Sequence, residues 1–164
     1  MHTLVIVDRS QYRDHMKKLV VDTAKKYKKA CYMSFNDPYH IVIEMLDNVN
    51  IDKDKFIIID ASGNVKELQF ISNTTYVLPV KDLFDVYLFL RNLIKEESID
   101  MLLLDSVSAL IYKYNELPLK EMLTNLLLEV GTFRCNSSIV VYKEDANHEV
   151  VSHLGPLIGN RFYL

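Results

Sequence analysis

Three aspartates stand where a fold could put them to chemical use. Asp8 follows the apolar run Leu4–Val7, Asp60 follows Phe56–Ile59, and Asp105 follows Met101–Leu104. A parallel sheet presents the carboxyl ends of its strands to ligands, so carboxylates there can hold Mg²⁺ or act as nucleophiles. Ser106 follows the fourth apolar run and Lys143 the fifth, Ile139–Tyr142. Acids that hold a metal beside an aspartyl nucleophile, with a hydroxyl and a lysine to read the phosphoryl group, make a phosphoacceptor site. Asp8, Asp60, Ser106 and Lys143 are the candidates for one. Metal chemistry of other kinds has no support: His2, His15, His40, His148 and His153 form no HExxH, and Cys31 and Cys135 form no CxxC. No metal site is expected.

The elements that must position these residues are legible. Five runs, Leu4–Val7, Cys31–Phe35, Phe56–Ile59, Met101–Leu104 and Ile139–Tyr142, are short and mostly continuously apolar, as strands buried on both faces of a parallel sheet are. Segments of helical period separate them, which predicts a three-layer α/β domain with a mainly parallel sheet of about five or more strands and helices on both faces. The first helix has Ser10 as its expected cap and an inward face of Tyr12, Met16, Leu19, Val20, Thr23 and Tyr27. Lys17, Lys18, Lys25, Lys28 and Lys29 fall on its other side, as a solvated face or a docking patch. Asp37 is expected to cap a second helix with Pro38 in its first turn. A third spans about Lys81–Lys95, apolar nearly all round and so well buried, and a fourth starts near Pro118. The tail from His148 reads as helix, broken by Gly155, Pro156 and Gly159. With no internal repeat or linker, residues 1–164 are expected to form one domain.

Composition narrows the classes further. Hydrophobic residues make up 49% and charged ones 25% of 164 residues, the balance of a globular chain. No apolar run approaches the roughly 18 residues of a membrane span, and the N-terminus lacks the basic start of a secretory signal. Two distant cysteines, read as free thiols, fit a reducing compartment, so a cytoplasmic location is expected. Net charge is −3 but divided: residues 1–29 hold eight Lys/Arg against three Asp, the rest eleven against nineteen acids. An acidic majority argues against a nucleic-acid binder.

Met101-Leu-Leu-Leu-Asp105-Ser106-Val-Ser-Ala-Leu110 resembles the Walker B strand of the RecA/KaiC-like ATPases, which ends in Asp-Ser and leads into a helix. Cys31–Tyr39 is similar to that family's second core strand and the turn after it, and Ser138–Tyr142 to the strand after Walker B. The resemblance implies a RecA-like P-loop NTPase fold, with strand one beside strand five and strand four between strands five and two. It also implies a nucleotide-site edge at Asp8, Arg9, Ser10, Asn36, Asp37, Asp105 and Ser106.

The departures point away from hydrolysis. A phosphate-binding loop needs glycines so that backbone N–H groups converge on the phosphates, a Lys for charge and a Ser/Thr for Mg²⁺. Here Asp8-Arg9-Ser10 follows the first strand, and the first glycine is Gly63. The glutamate that active relatives carry after the second strand is replaced by Asn36 or Asp37. The expectation is therefore a degenerate member: a non-catalytic interaction or regulatory module, no cofactor, and no conventional ATP hydrolysis. Its partner would be a protein or a second copy, as monomer or small dimer, with Lys18, Lys25 and Lys29 as the contact face. One alternative is a domain similar to response-regulator receivers. Against it, a single acid follows strand one, no proline follows Lys143, and about 40 residues separate Asp60 from strand four. The other is a small-molecule-binding α/β protein with a remodelled site at the strand carboxyl ends.

Overall fold

The computed structural model describes residues 1–63 and 65–164. Its eight strands are β1 (His2–Val7), β2 (Ala30–Ser34), β3 (Phe56–Asp60), β4 (Gln69–Ser72), β5 (Thr75–Val77), β6 (Met101–Asp105), β7 (Asn136–Tyr142) and β8 (Asn160–Tyr163). They form one sheet in the order β4-β5-β3-β2-β6-β7-β1-β8, parallel throughout except for β4 against β5. Six α-helices pack on it: α1 (Tyr12–Lys26), α2 (Tyr39–Asn48), α3 (Leu83–Glu96), α4 (Val107–Ile111), α5 (Glu116–Thr132) and α6 (Glu149–His153). The first strand lies between β7 and β8, and β6 lies between β7 and β2, as the resemblance implies. A receiver needs strand one between strands two and three, so the phosphoacceptor alternative fails on topology.

The continuous apolar runs are two alternating patterns laid over each other. Along β1, Leu4 and Ile6 join one core while Val5 and Val7 join the other. Likewise Leu102 and Leu104 of β6 face away from Met101 and Leu103, because side chains alternate across a strand. The larger core lies under α3, α4, α5 and α6, with Leu90, Leu123 and Leu127 fully buried. The smaller lies under α1 and α2, through Met16, Val20, Val42 and Leu46. Four helices thus cover one face of the sheet and two the other.

With glycine scarce, three helix exits use other residues in the left-handed region: Asn50 after α2, Ser98 after α3 and Arg134 after α5, at φ 52°, 53° and 57°. Two close on bonds five residues back, Ile99 N–H to Ile94 O and Cys135 N–H to Val130 O, both 3.1 Å.

Several local expectations are corrected. Ser10 does not cap the first helix; Asp8 caps a 3-10 turn over Arg9–Gln11 that leads into α1. Asp37 does not cap α2 either. Pro38 takes the cap position, and the Tyr39 N–H is met by Asp60 Oδ2 at 2.9 Å. In α3, Leu83, Val86, Leu90, Leu93 and Ile94 are buried, but Phe84 is 58% exposed. The tail is α-helical over α6, continues as a 3-10 turn over Gly155–Leu157 where the break was expected, and ends in β8, because parallel pairing with β1 supplies bonds that local propensity does not. Among the described residues, no helix is long and apolar enough to cross a membrane.

Candidate functional site

The β1–α1 connection is a closed turn rather than a loop. Asp8 Oδ1 accepts both the Ser10 N–H at 2.9 Å and the Ser10 hydroxyl at 2.6 Å. These bonds, the hydroxyl first, hold its carboxyl below the usual carboxylate range, with help from the charges of Lys143 and His15. Arg9 turns toward the exit of β7, its guanidinium 4.4 Å from the Tyr142 ring centre and 2.8 Å from Glu144.

Asp105 ends β6 with its side chain fully buried, between β2 and β7. Tyr12, the first residue of α1, donates its hydroxyl to Asp105 Oδ2 at 2.5 Å, and Tyr32, from the neighbouring β2, donates to the same oxygen. Among the described residues, Asp105 Oδ1 is buried with no hydrogen-bond partner. Burial pushes the Asp105 carboxyl up to about 6, although the two phenols pull it down. Burial, and then the charge of Asp105, push both phenols well above the ordinary tyrosine range, so they remain donors at any physiological pH. A neutral or ionised carboxyl is thereby held by two protonated phenols.

The other predicted edge residues gather around this pair. Ser106, joined to Asp105 by a cis peptide bond, accepts at 3.0 Å from Asn36 Nδ2, which also donates to the Tyr142 hydroxyl at 3.1 Å. The Tyr142 ring stands edge-on to Tyr12 at 5.7 Å. Asp37 is anchored through its backbone, its N–H donating to Ser34 Oγ at 2.9 Å and its carbonyl accepting from the same hydroxyl at 2.7 Å. Its carboxylate lies 3.9 Å from Arg13. Beside the cluster, between α1 and α2, a cleft of about 80 Å³ is lined by Tyr12, Tyr32, Asp37 and Ile41.

Asn36, Asp105 and Ser106 are thus brought together, Asp37 borders them, and Asp8, Arg9 and Ser10 form the adjoining turn. Asp60 serves elsewhere, accepting from Tyr39 N–H, Ser62 N–H and the Ser62 hydroxyl. Tyr12, Tyr32 and Tyr142 were missed as site residues. Their signal was present: Tyr12 on the inward helix face, and Tyr32 and Tyr142 as hydroxyl-bearing members of apolar strands. Tyr112 repeats the motif nearby by donating to Asp145 Oδ1, whose Oδ2 is buried and unpartnered.

The lysine face does not hold together as one patch. Lys18 and Lys25 are exposed on α1, but Lys29 lies past its end, 2.5 Å from Glu97. The backbone N–H groups of Lys28 and Lys29 donate to the Asp100 carboxylate at 3.0 Å each.

The sequence matches no protein-family profile and no curated protein. The fold is shared with solved structures. One is the KaiC-like protein PH0186 of the hyperthermophilic archaeon Pyrococcus horikoshii OT3, with a TM-score of 0.62 over 86% of this chain at 10% identity. The chain spans 60% of that protein's length. The fold is therefore RecA/KaiC-like.

Proposed function

We propose that this chain is a RecA/KaiC-like domain that has exchanged its nucleotide chemistry for an interaction or regulatory role. The observation that carries the reading is the pair of tyrosine hydroxyls on Asp105 Oδ2. In the resemblance Asp105 is the Walker B acid, whose task is to hold Mg²⁺ directly or through water. Here one of its oxygens is taken by two phenols and the other faces the interior.

The surrounding residues do not fit Mg²⁺-ATP. The Asp8–Ser10 turn offers a carboxylate where phosphates need converging N–H groups and a lysine. The neighbouring 80 Å³ cleft is far below the roughly 300–1,000 Å³ of ordinary ligand pockets. Among the described residues, no group of three or more His, Cys, Asp or Glu is arranged to hold a metal. An interaction role is supported by large apolar side chains left in solvent, among them Phe70, Phe84, Tyr112 and Leu117.

Two measurements test the reading. Titration calorimetry and phosphate release with Mg²⁺-ATP are expected to show no tight site and no turnover above background. Mg²⁺-dependent hydrolysis that disappears in Asp105→Ala would overturn it. Light scattering at 0.1 M and 1 M salt should give a monomer or two-fold dimer; a hexamer in either condition would mean that ring assembly persists without the loop.

A further inference from the structure

A concavity larger than the cleft beside Asp105 lies away from that cluster, on the other side of α1. It is a groove of about 410 Å³ between the second half of α1 and the sheet, reaching from the first residues of β6 and β7 across β1 to the edge strand β8. It exists because only α1 and α2 cover this face, and α1 stops short of β8.

Its floor has two chemically different rows, set by register. Thr3 pairs with Ser138 on one side and Asn160 on the other, placing three polar side chains in line across β7, β1 and β8. The next row toward the carboxyl ends carries Val5 beside Phe162. Thr3, Ser138 and, from α1, Thr23 are only 9%, 5% and 3% exposed, and their hydroxyls make no hydrogen bond to other side chains among the described residues. Leu19 and Leu164 extend the apolar end. Lys18 and Lys26 stand on the rim, neither in an ion pair among the described residues, with Asp22 between them as the one acid in the lining. Lys26 also lies 5.3 Å from the Tyr27 ring centre.

We propose that this groove binds a small amphiphile with one anionic head, of the class of medium-chain or aromatic carboxylates and sulfonates. The volume falls within the range of small-molecule sites. The apolar body would lie over Val5, Leu19 and Phe162, as hydrophobic burial requires. The head would sit at the Thr3–Ser138–Thr23 end, where hydroxyls can donate and Lys26 supplies charge. Asp22, between the two lysines, disfavours a dianion. This site is separate from the Asp105 cluster and stands whether or not that cluster is silent.

The probe is 1-anilinonaphthalene-8-sulfonate, titrated into the full chain and followed by fluorescence. Expected are saturable binding at one site per chain and displacement by decanoate but not by decanol. Lys26→Gln and Phe162→Ala, both at exposed positions and each first checked for intact folding by circular dichroism, should weaken binding on the order of five- to tenfold. Thr3→Val, which keeps shape and removes a hydroxyl, should weaken decanoate more than the aromatic sulfonate. Non-saturating fluorescence, displacement by decanol and decanoate alike, or indifference to Lys26→Gln and Phe162→Ala would overturn the proposal. So would loss of the site as protein concentration rises, since the groove would then be a contact between two copies.

Discussion

The ends of β3 and β6 are built alike and used differently. Both strands flank β2, and in register Ser34 is the partner of Asp60 on one side and Asp105 on the other. Asp60 spends its carboxylate on nearby backbone, accepting the Ser62 N–H and hydroxyl from the turn that follows it and the Tyr39 N–H from the start of α2. Asp105 receives no backbone donor on its carboxylate. It is met by two phenols from α1 and β2, far along the chain, on one oxygen only, and its other oxygen is bare. The first is an acid that a turn and a helix start require. The second is an acid that the fold holds through distant side chains alone.

The largest effect should come from breaking the structural member of the pair. Asp60→Ala strands the Tyr39 and Ser62 N–H groups and is expected to lower unfolding free energy by about 4 kcal/mol, read by urea denaturation. A loss under about 1 kcal/mol would remove the distinction drawn here.

Next is the pH dependence of Asp105. Its carboxyl rises from 3.8 to about 6 on folding, so the folded chain holds the proton more tightly than the unfolded one. Stability from this group is complete below pH 3.8, falls as pH rises through 6, and is level above, a swing of about 3 kcal/mol. Asp105→Asn should erase that component when the two proteins are unfolded at a series of pH values. Parallel curves would show that Asp105 is ionised in the fold with no penalty.

Smaller again is Tyr32→Phe, which removes one phenol from Asp105. It should cost about 1–2 kcal/mol at pH 7.5 and less at pH 4.5, because a hydrogen bond to an ionised carboxylate is the stronger one. Equal losses at both values would mean that Tyr32 acts through packing alone. Smallest is Asp8→Ala. Its carboxylate is solvent-exposed, so only faster amide exchange over Ser10–Arg13 is expected, and global unfolding that follows Asp60→Ala in size would contradict that.

Five strands were legible because they are buried on both faces and announce themselves by composition, whereas their order followed from the family resemblance. β4, β5 and β8 were not, since they are short and two are exposed along their length. β8 exists through its ladder with β1, which no local pattern encodes. At the candidate site Asp105 and Ser106 could be placed from a strand end, and Asn36 through the family resemblance. The tyrosines could not, because a phenol on an inward face reads as core until a specific acceptor is in view. The two caps failed for one reason. Ser10 and Asp37 have good cap chemistry, but in each case another aspartate intervenes: Asp8 engages the Ser10 N–H and hydroxyl, and Asp60 takes the Tyr39 N–H from 21 residues away.

The place of β1 in the sheet also decides when the molecule can become itself. β1 has β7 and β8 as its neighbours, so its partners begin at Asn136 and Asn160, more than a hundred residues later in the chain. Until then both edges of the apolar strand Thr3–Val7 lack their ladders, while β2, β3 and β6 can already assemble among themselves. Such distant pairing slows folding and prolongs exposure of sticky strands. A chain halted before residue 136 would hold a partial sheet with β1 waiting, and residues 136–164 complete the fold as much as any helix does.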